Sequence, residues 1–179
     1  MSVKIMYYVH GTTTDNELHV SSGWKNVELS PKGIEQSFAL KEKVPMDKID
    51  IVFCSDLKRA VVSANNIFGG VKEIIEDNRI RECNYGDLDG KDTSLVKYEE
   101  HIDNPFPNGE SLKDVEARIR NFLNYLKENY DGKTVALVAH KAPQLAIEVL
   151  TMNKTWDESI ATDWRKTKAW QPGWEYEVK

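Results

Sequence analysis

Cysteine is scarce in this chain. Only Cys54 and Cys83 occur, and neither has a partner at metal-ligand spacing. That usage points to free thiols in a reducing compartment and gives no basis for a metal centre. Basic charge is also in short supply. Lys and Arg number 24 against 29 Asp and Glu, a formal net charge of -5, and no basic tract offsets it. This argues against nucleic-acid binding as a general activity. An acidic protein can still carry a local cationic pocket for an anionic substrate. No apolar run approaches the length that spans a bilayer, and the opening MSVKIMYY lacks the apolar core of a signal peptide. The expectation is a cytoplasmic protein with no membrane partner. Internal repeats, low-complexity tracts and linkers are missing too.

What is present fits one folded unit. The 179 residues are 40% hydrophobic and 30% charged, an ordinary balance for a globular protein, and predict a single domain over residues 1–179. VKIMYYV, residues 3–9, has the β-branched and aromatic content of a buried central strand and breaks at His10-Gly11. Gly11 allows a sharp turn and a close approach of backbone to ligand. Residues 15–27 read as a loop. Ser30 and Pro31 then open a helix as N-cap and first position, with Ile34, Phe38, Leu40 and Val44 on its apolar period.

IDIVFC, residues 49–54, is a second strand, with Ser55-Asp56 as the cap of a helix that stops at Gly69-Gly70. Residues 73–76 suit a short third strand, 78–92 are irregular, and 94–101 suit a short helix. An amphipathic helix runs from Glu110 to about Asn129, with Leu112, Val115, Ile119, Phe122, Leu123 and Leu126 on one face. TVALVA, residues 134–139, ends at His140 and leads into another helix, and residues 174–178 offer an edge strand. Strands alternating with helices predict an α/β fold, a three-layer αβα sandwich around a mostly parallel sheet.

Two of these strands end in a histidine, His10 and His140, and a third leads into Lys58-Arg59. Open α/β sheets bind ligands at the carboxyl ends of their strands. Two imidazoles and a guanidinium at one sheet edge make a phosphate-sized pocket. Helix N-termini after Ser55 and His140 would add backbone N–H donors to it.

At these residues the chain resembles the histidine phosphatase superfamily, the phosphoglycerate-mutase-like enzymes. HGTTTDN matches the first motif with His10, Gly11, Thr13 and Asn16, and SSGWKNVELSPKGIEQS, residues 21–37, matches its continuation. SDLKRAVVSA carries the motif's phosphate-binding arginine at Arg59, and ECNYGDLDG places the acid/base carboxylate at Glu82. PNGESLKDVEAR and VAHKAPQ match two further segments, so the resemblance covers nearly the whole chain in order.

The resemblance implies that His10 attacks phosphorus and forms a phosphohistidine, and that Glu82 serves as general acid and then base. It implies that Arg59, His140 and Asn16 hold the non-bridging oxygens, and that Ser22 and Gly23 contact the rest of a small phosphorylated substrate. It calls for no metal and no cofactor. His19 and His101 lie outside the motifs and read as surface residues. Lys58 and Arg81 are candidates for a second anionic group, or else solvated charges. Trp164, Trp170 or Trp174 would either line the pocket or pack on the sheet.

Two positions depart from the pattern. Val9 stands where the family has an arginine beside the nucleophile, and valine can donate no hydrogen bond. Losing one such donor costs about 2.7–4 kcal/mol in a transition state. Lys141 stands where a glycine follows the second histidine. Its ammonium would either replace part of the missing charge or point to solvent. The leading expectation is a metal-independent phosphomonoesterase of the histidine acid phosphatase type, acting on a small phosphorylated metabolite. Two alternatives stay open: a phosphoglycerate mutase, and a catalytically weak phospho-ligand-binding or regulatory domain. The short stretch between Gly90 and Pro107 favours the phosphatase, because mutases close their pockets with longer insertions. The sequence leaves the oligomeric state open.

Overall fold

The structure is a computed structural model that describes residues 2–179. Strand β1 (Val3–Val9) leads through α1 (Thr14–Glu17) to α2 (Pro31–Lys41), followed by β2 (Ile51–Cys54), α3 (Lys58–Phe68) and β3 (Ile74–Glu76). After a stretch of single 3-10 turns come α4 (Leu112–Asn129), β4 (Thr134–Ala139) and α5 (Lys141–Met152). The chain closes with α6 (Trp156–Ala161), α7 (Trp164–Thr167) and β5 (Trp174–Val178). The sheet order is β3-β2-β4-β1-β5, parallel throughout except for the antiparallel edge strand β5.

Both faces of the sheet are covered, and side chains alternate between them with the period of two that a strand imposes. Val3, Ile5 and Tyr7 of β1, Phe53 of β2 and Val135, Leu137 and Ala139 of β4 face α4 and α5. Tyr8, Val52, Cys54, Ala136 and Val138 face the opposite side, where Leu40 of α2 and Ala64, Ile67 and Phe68 of α3 meet them. This is the three-layer α/β arrangement. The amphipathic stripe of α4 is buried as its spacing predicts, and Ser111 with Asp114 closes a capping box at its start. Burying each large side chain of that stripe contributes about 1.5–3 kcal/mol.

Several local expectations need correction. Ser55 and Asp56 do not cap α3, whose N-cap is Leu57 with no side-chain bond. Ser55 Oγ accepts only from Leu57 N–H at 3.3 Å, and Asp56 is taken up by Arg81 in two bonds of 2.7 and 2.6 Å. The N–H of Lys58 is met from a distance by Asn26 Oδ1 at 3.0 Å. The expected helix over 94–101 is two isolated 3-10 turns, Thr93–Leu95 and Tyr98–Glu100. Tyr98 is buried there against Tyr85, so packing of one ring, rather than a helical period, shapes the segment. The loop expected over 15–27 holds part of α1, capped by Thr13. Ile34 and Phe38 of α2 are exposed instead of facing the core. His101 is partly covered, its ring stacked on Phe106 at 3.8 Å between centroids.

Candidate active site

The register of the two central strands sets the site. Val9 pairs with Ala139 in the parallel ladder, so the next residue on each strand is a histidine. The His10 and His140 rings face one another with centroids 5.1 Å apart. They line a cavity of about 430 Å³ together with Arg59, Glu82, Asn16, Ser22, Gly23 and Lys141. Strand-end reasoning places His10, His140 and Arg59 at one edge, and the resemblance adds Glu82, Asn16, Ser22 and Gly23. The sequence leaves Lys141 between pocket and solvent, and all of these residues line the one cavity.

The two histidines are held differently. His10 is half-buried, and its Nδ1 lies 2.7 Å from the carbonyl of Gly11, a contact that requires Nδ1 to carry the proton. Its Nε2 therefore presents a lone pair. Burial lowers the His10 pKa to about 3, and the Arg59 charge pushes the same way. The ring is neutral at pH 7. His140 is 1% exposed, and neither ring nitrogen has a hydrogen-bond partner among the described residues. Burial and the Arg59 charge hold its pKa well below the usual value. Its backbone is clamped by Tyr7, whose hydroxyl donates to His140 O at 2.6 Å and accepts from His140 N–H at 3.0 Å.

Arg59 projects from the first turn of α3 and is 2% exposed. Its Nη1 and Nη2 donate to the carbonyls of Lys25 and Gly23 at 3.0 and 2.7 Å, and desolvation lowers its pKa. Two of its five donors are thereby used, and no carboxylate is hydrogen-bonded to it among the described residues. Glu82 sits over the start of α5. Its Oε1 accepts from Cys83 N–H and Ala142 N–H, both at 2.9 Å, and its Oε2 accepts from Lys141 N–H at 3.2 Å. The helix N-termini expected to donate to a phosphate are thus already engaged, α3 by Asn26 and α5 by Glu82.

Two predicted binding residues belong to the scaffold beneath the cavity. Gly11 gives its N–H to Ser63 Oγ at 3.0 Å, and a Cβ there would lie 2.3 Å from the carbonyl oxygen of Gly33. Its lack of a side chain serves the packing of α2 against the strand end, and it lies outside the wall that Arg59 and Glu82 share. Thr13 is fully buried as the N-cap of α1, in a capping box with Asn16. Gly23 has φ of +51°, and a Cβ would collide with Asp89 Oδ1. Ser22 donates to Asp15 at 3.0 Å. Lys58 pairs with Glu28 and Arg81 with Asp56, both outside the cavity.

Residues that sequence reasoning missed complete the wall. Thr12, Tyr85, Thr93, Tyr98 and Arg165 all line it. Trp164, which the sequence offered to either the pocket or the sheet, lines the cavity, and with Trp170, Trp174, Leu40, Val9 and His10 it borders a neighbouring cavity of about 460 Å³. Lys141 does not reach out freely. Its Nζ lies 3.6 Å from Asp163 Oδ2 and 4.3 Å from the centre of the Tyr98 ring. The sequence signal for the C-terminal wall was the aromatic and basic run WRKTKAWQPGW.

Fold and site together define a class: an α/β protein with a mostly parallel sheet whose two central strands end in facing histidines above a buried arginine. A family model described as "Histidine phosphatase superfamily (branch 1)" matches residues 8–171, and the chain belongs to that superfamily. It is 28% identical over 156 residues to phosphoserine phosphatase 1 of Hydrogenobacter thermophilus, covering 81% of this chain and 74% of that one. It is 31% identical over 175 residues to a 2,3-bisphosphoglycerate-dependent phosphoglycerate mutase of Bartonella henselae, covering 86% and 85%. Among solved structures it is similar to a mycobacterial glucosyl-3-phosphoglycerate phosphatase in complex with VO3. That match has a TM-score of 0.76 and 25% identity, and covers 89% of this chain and 86% of the other.

Proposed function

We propose that the chain, as one domain over residues 1–179, is a metal-independent phosphomonoesterase that works through a phosphohistidine on a small phosphorylated metabolite. One observation carries the reading. His10 has its Nδ1 proton committed to Gly11 O, its Nε2 lone pair free, and Arg59, Glu82 and His140 around the same cavity. A neutral imidazole so oriented attacks phosphorus with Nε2 as the ester P–O bond breaks. Arg59 and His140, each with unused polar atoms, receive the non-bridging oxygens, where phosphoryl transfer gains most of its stabilisation. The depressed His10 pKa keeps the nucleophile unprotonated across the physiological range.

Glu82 supplies the proton. Two backbone donors occupy Oε1, while Oε2 has only the longer bond from Lys141 N–H. Oε2 is therefore the oxygen that protonates the leaving alcohol. In the second half-reaction it takes a proton from water as the new P–O bond forms and the N–P bond breaks. The ordering of donors around one oxygen leaves the other for chemistry.

The test is hydrolysis of a small aryl phosphate without added metal, with acid-stable and acid-labile phosphoenzyme measured in rapid-quench samples. The expected result is turnover with an acid-labile phosphoenzyme that disappears in His10→Ala. A protein that binds vanadate but gives neither turnover nor phosphoenzyme is the weak phospho-ligand-binding domain instead, the reading that Val9 favours. The mutase reading is favoured by relatives such as the Bartonella enzyme. It requires activity on 3-phosphoglycerate that depends on a bisphosphate primer.

A further inference from the structure

Val9 borders the cavity as an apolar wall beside the nucleophilic histidine and offers no donor on that side. Arg165 of α7 lines the same cavity. It is held as an oriented fork rather than left to solvent. Its Nη1 bonds Asp163 Oδ1 at 3.0 Å, its Nη2 bonds Gln144 Oε1 at 3.2 Å, and its guanidinium lies 4.3 Å from the centre of the Trp164 ring. The parts that hold it are themselves buried. Asp163 is 2% exposed and Gln144 fully buried, with Gln144 Nε2 donating to Tyr176 at 3.1 Å.

We propose that Arg165 is a second phosphate-binding guanidinium of this site, reaching it from the C-terminal segment and serving the wall that Val9 leaves without a donor. The proposal deepens the phosphomonoesterase reading and rests on it. Three observations support it. Two of the five donors of Arg165 are used, which leaves a fork for an anion. His140, buried and with both ring nitrogens unpartnered, faces the same space and marks it as built for a ligand. After burial and the Arg59 charge, the Arg165 charge also pushes the pKa of both histidines down, in keeping with its place on the wall of the same cavity.

Asp163 gives the arrangement a further property. Its carboxylate contacts Arg165 on one oxygen and Lys141 on the other, so one buried anion orients two cations that line the cavity. Lys141 is thereby partly neutralised, and desolvation lowers its pKa. Arg165 is the better candidate for the missing charge, because a planar fork with free donors outranks a tethered ammonium for a tetrahedral oxyanion.

The experiment measures orthovanadate and inorganic phosphate binding by calorimetry, alongside aryl phosphate turnover, in the full chain. The variants are Arg165→Gln, Arg165→Lys, Arg59→Gln and the double variant Val9→Arg/Arg165→Gln, each checked for folding by thermal melt. Arg165→Gln is expected to weaken vanadate about ten- to a hundred-fold. Arg165→Lys, which keeps the charge and the Asp163 pair, should recover part of it, and Val9→Arg in the Gln background most of it. Unchanged vanadate affinity in a folded Arg165→Gln, with Arg59→Gln crippled, overturns the role of Arg165 and leaves the phosphatase reading standing. If Arg59→Gln also binds vanadate normally, the phosphate site itself is misplaced and both readings fall.

Discussion

His10 and His140 are the same residue at the same step of neighbouring parallel strands, and the chain treats them in opposite ways. After His10 the backbone turns across α2, and the carbonyl of Gly11 takes one ring proton. After His140 a helix begins at once, the ring is sealed from solvent, and no described residue engages either nitrogen. One imidazole thus has an assigned tautomer and a directed lone pair. The other is a buried group with both ring nitrogens unpartnered among the described residues. Identity and register do not decide the role of a residue; the partner of one nitrogen does.

The sharpest way to break that contrast is to remove each ring. His10→Ala should lower aryl phosphate turnover at least about 10³-fold and abolish the phosphoenzyme. His140→Ala should slow turnover by about 10²–10³-fold yet leave the phosphoenzyme detectable by rapid quench. Equal loss of the intermediate in both variants would erase the distinction. The backbones beneath the rings come next. Gly11→Ala drives a methyl into the backbone of Gly33 and should cost about 1–3 kcal/mol or more in urea unfolding. Tyr7→Phe leaves the His140 N–H without its acceptor and removes one of the bonds to its carbonyl, and should cost about 1–3 kcal/mol, while leaving Nδ1 of His10 on Gly11.

The smallest effect is in pH. Both histidines have folded pKa values below the unfolded one, so protons bind the unfolded chain first as pH falls. Their contribution is whole above about pH 6.5 and is lost toward the folded value of about 3 for His10. Between pH 7 and pH 6 the His10 share is under about 1 kcal/mol, and denaturant melts of His10→Gln should show a shallower acid limb.

Much of the molecule was legible because its signals are local. Strand ends, the Ser30-Pro31 start of α2 and the stripe of α4 depend on neighbours a few residues away, and His10, Arg59, Glu82 and His140 follow from strand ends and motif order. The roles of Gly11 and Thr13 were not legible, because they depend on what α2 and α1 press against them. Nor was the engagement of both helix N-termini, since Asn26 and Glu82 arrive from distant segments. Arg165 lies in a basic and aromatic run that resembles any exposed tail until β5 is seen pairing with β1. The two turns at 93–100 failed the helix reading because burial of Tyr98 outweighs the spacing around it.

The partners of β1 carry a consequence for synthesis. That strand pairs in the sheet with β4 and β5, so residues 3–9 find their ladder partners among residues 134–178. Made well before its partners, the strand must wait on the ribosome, apolar and unpaired, for segments more than a hundred residues downstream. Contacts of such sequence separation slow folding and lengthen the time a sticky strand is open to other chains. A nascent chain therefore carries His10 well before His140, its partner across the cavity, has been made. Chaperone engagement should be heaviest in that interval, before residues 134–139 leave the exit tunnel.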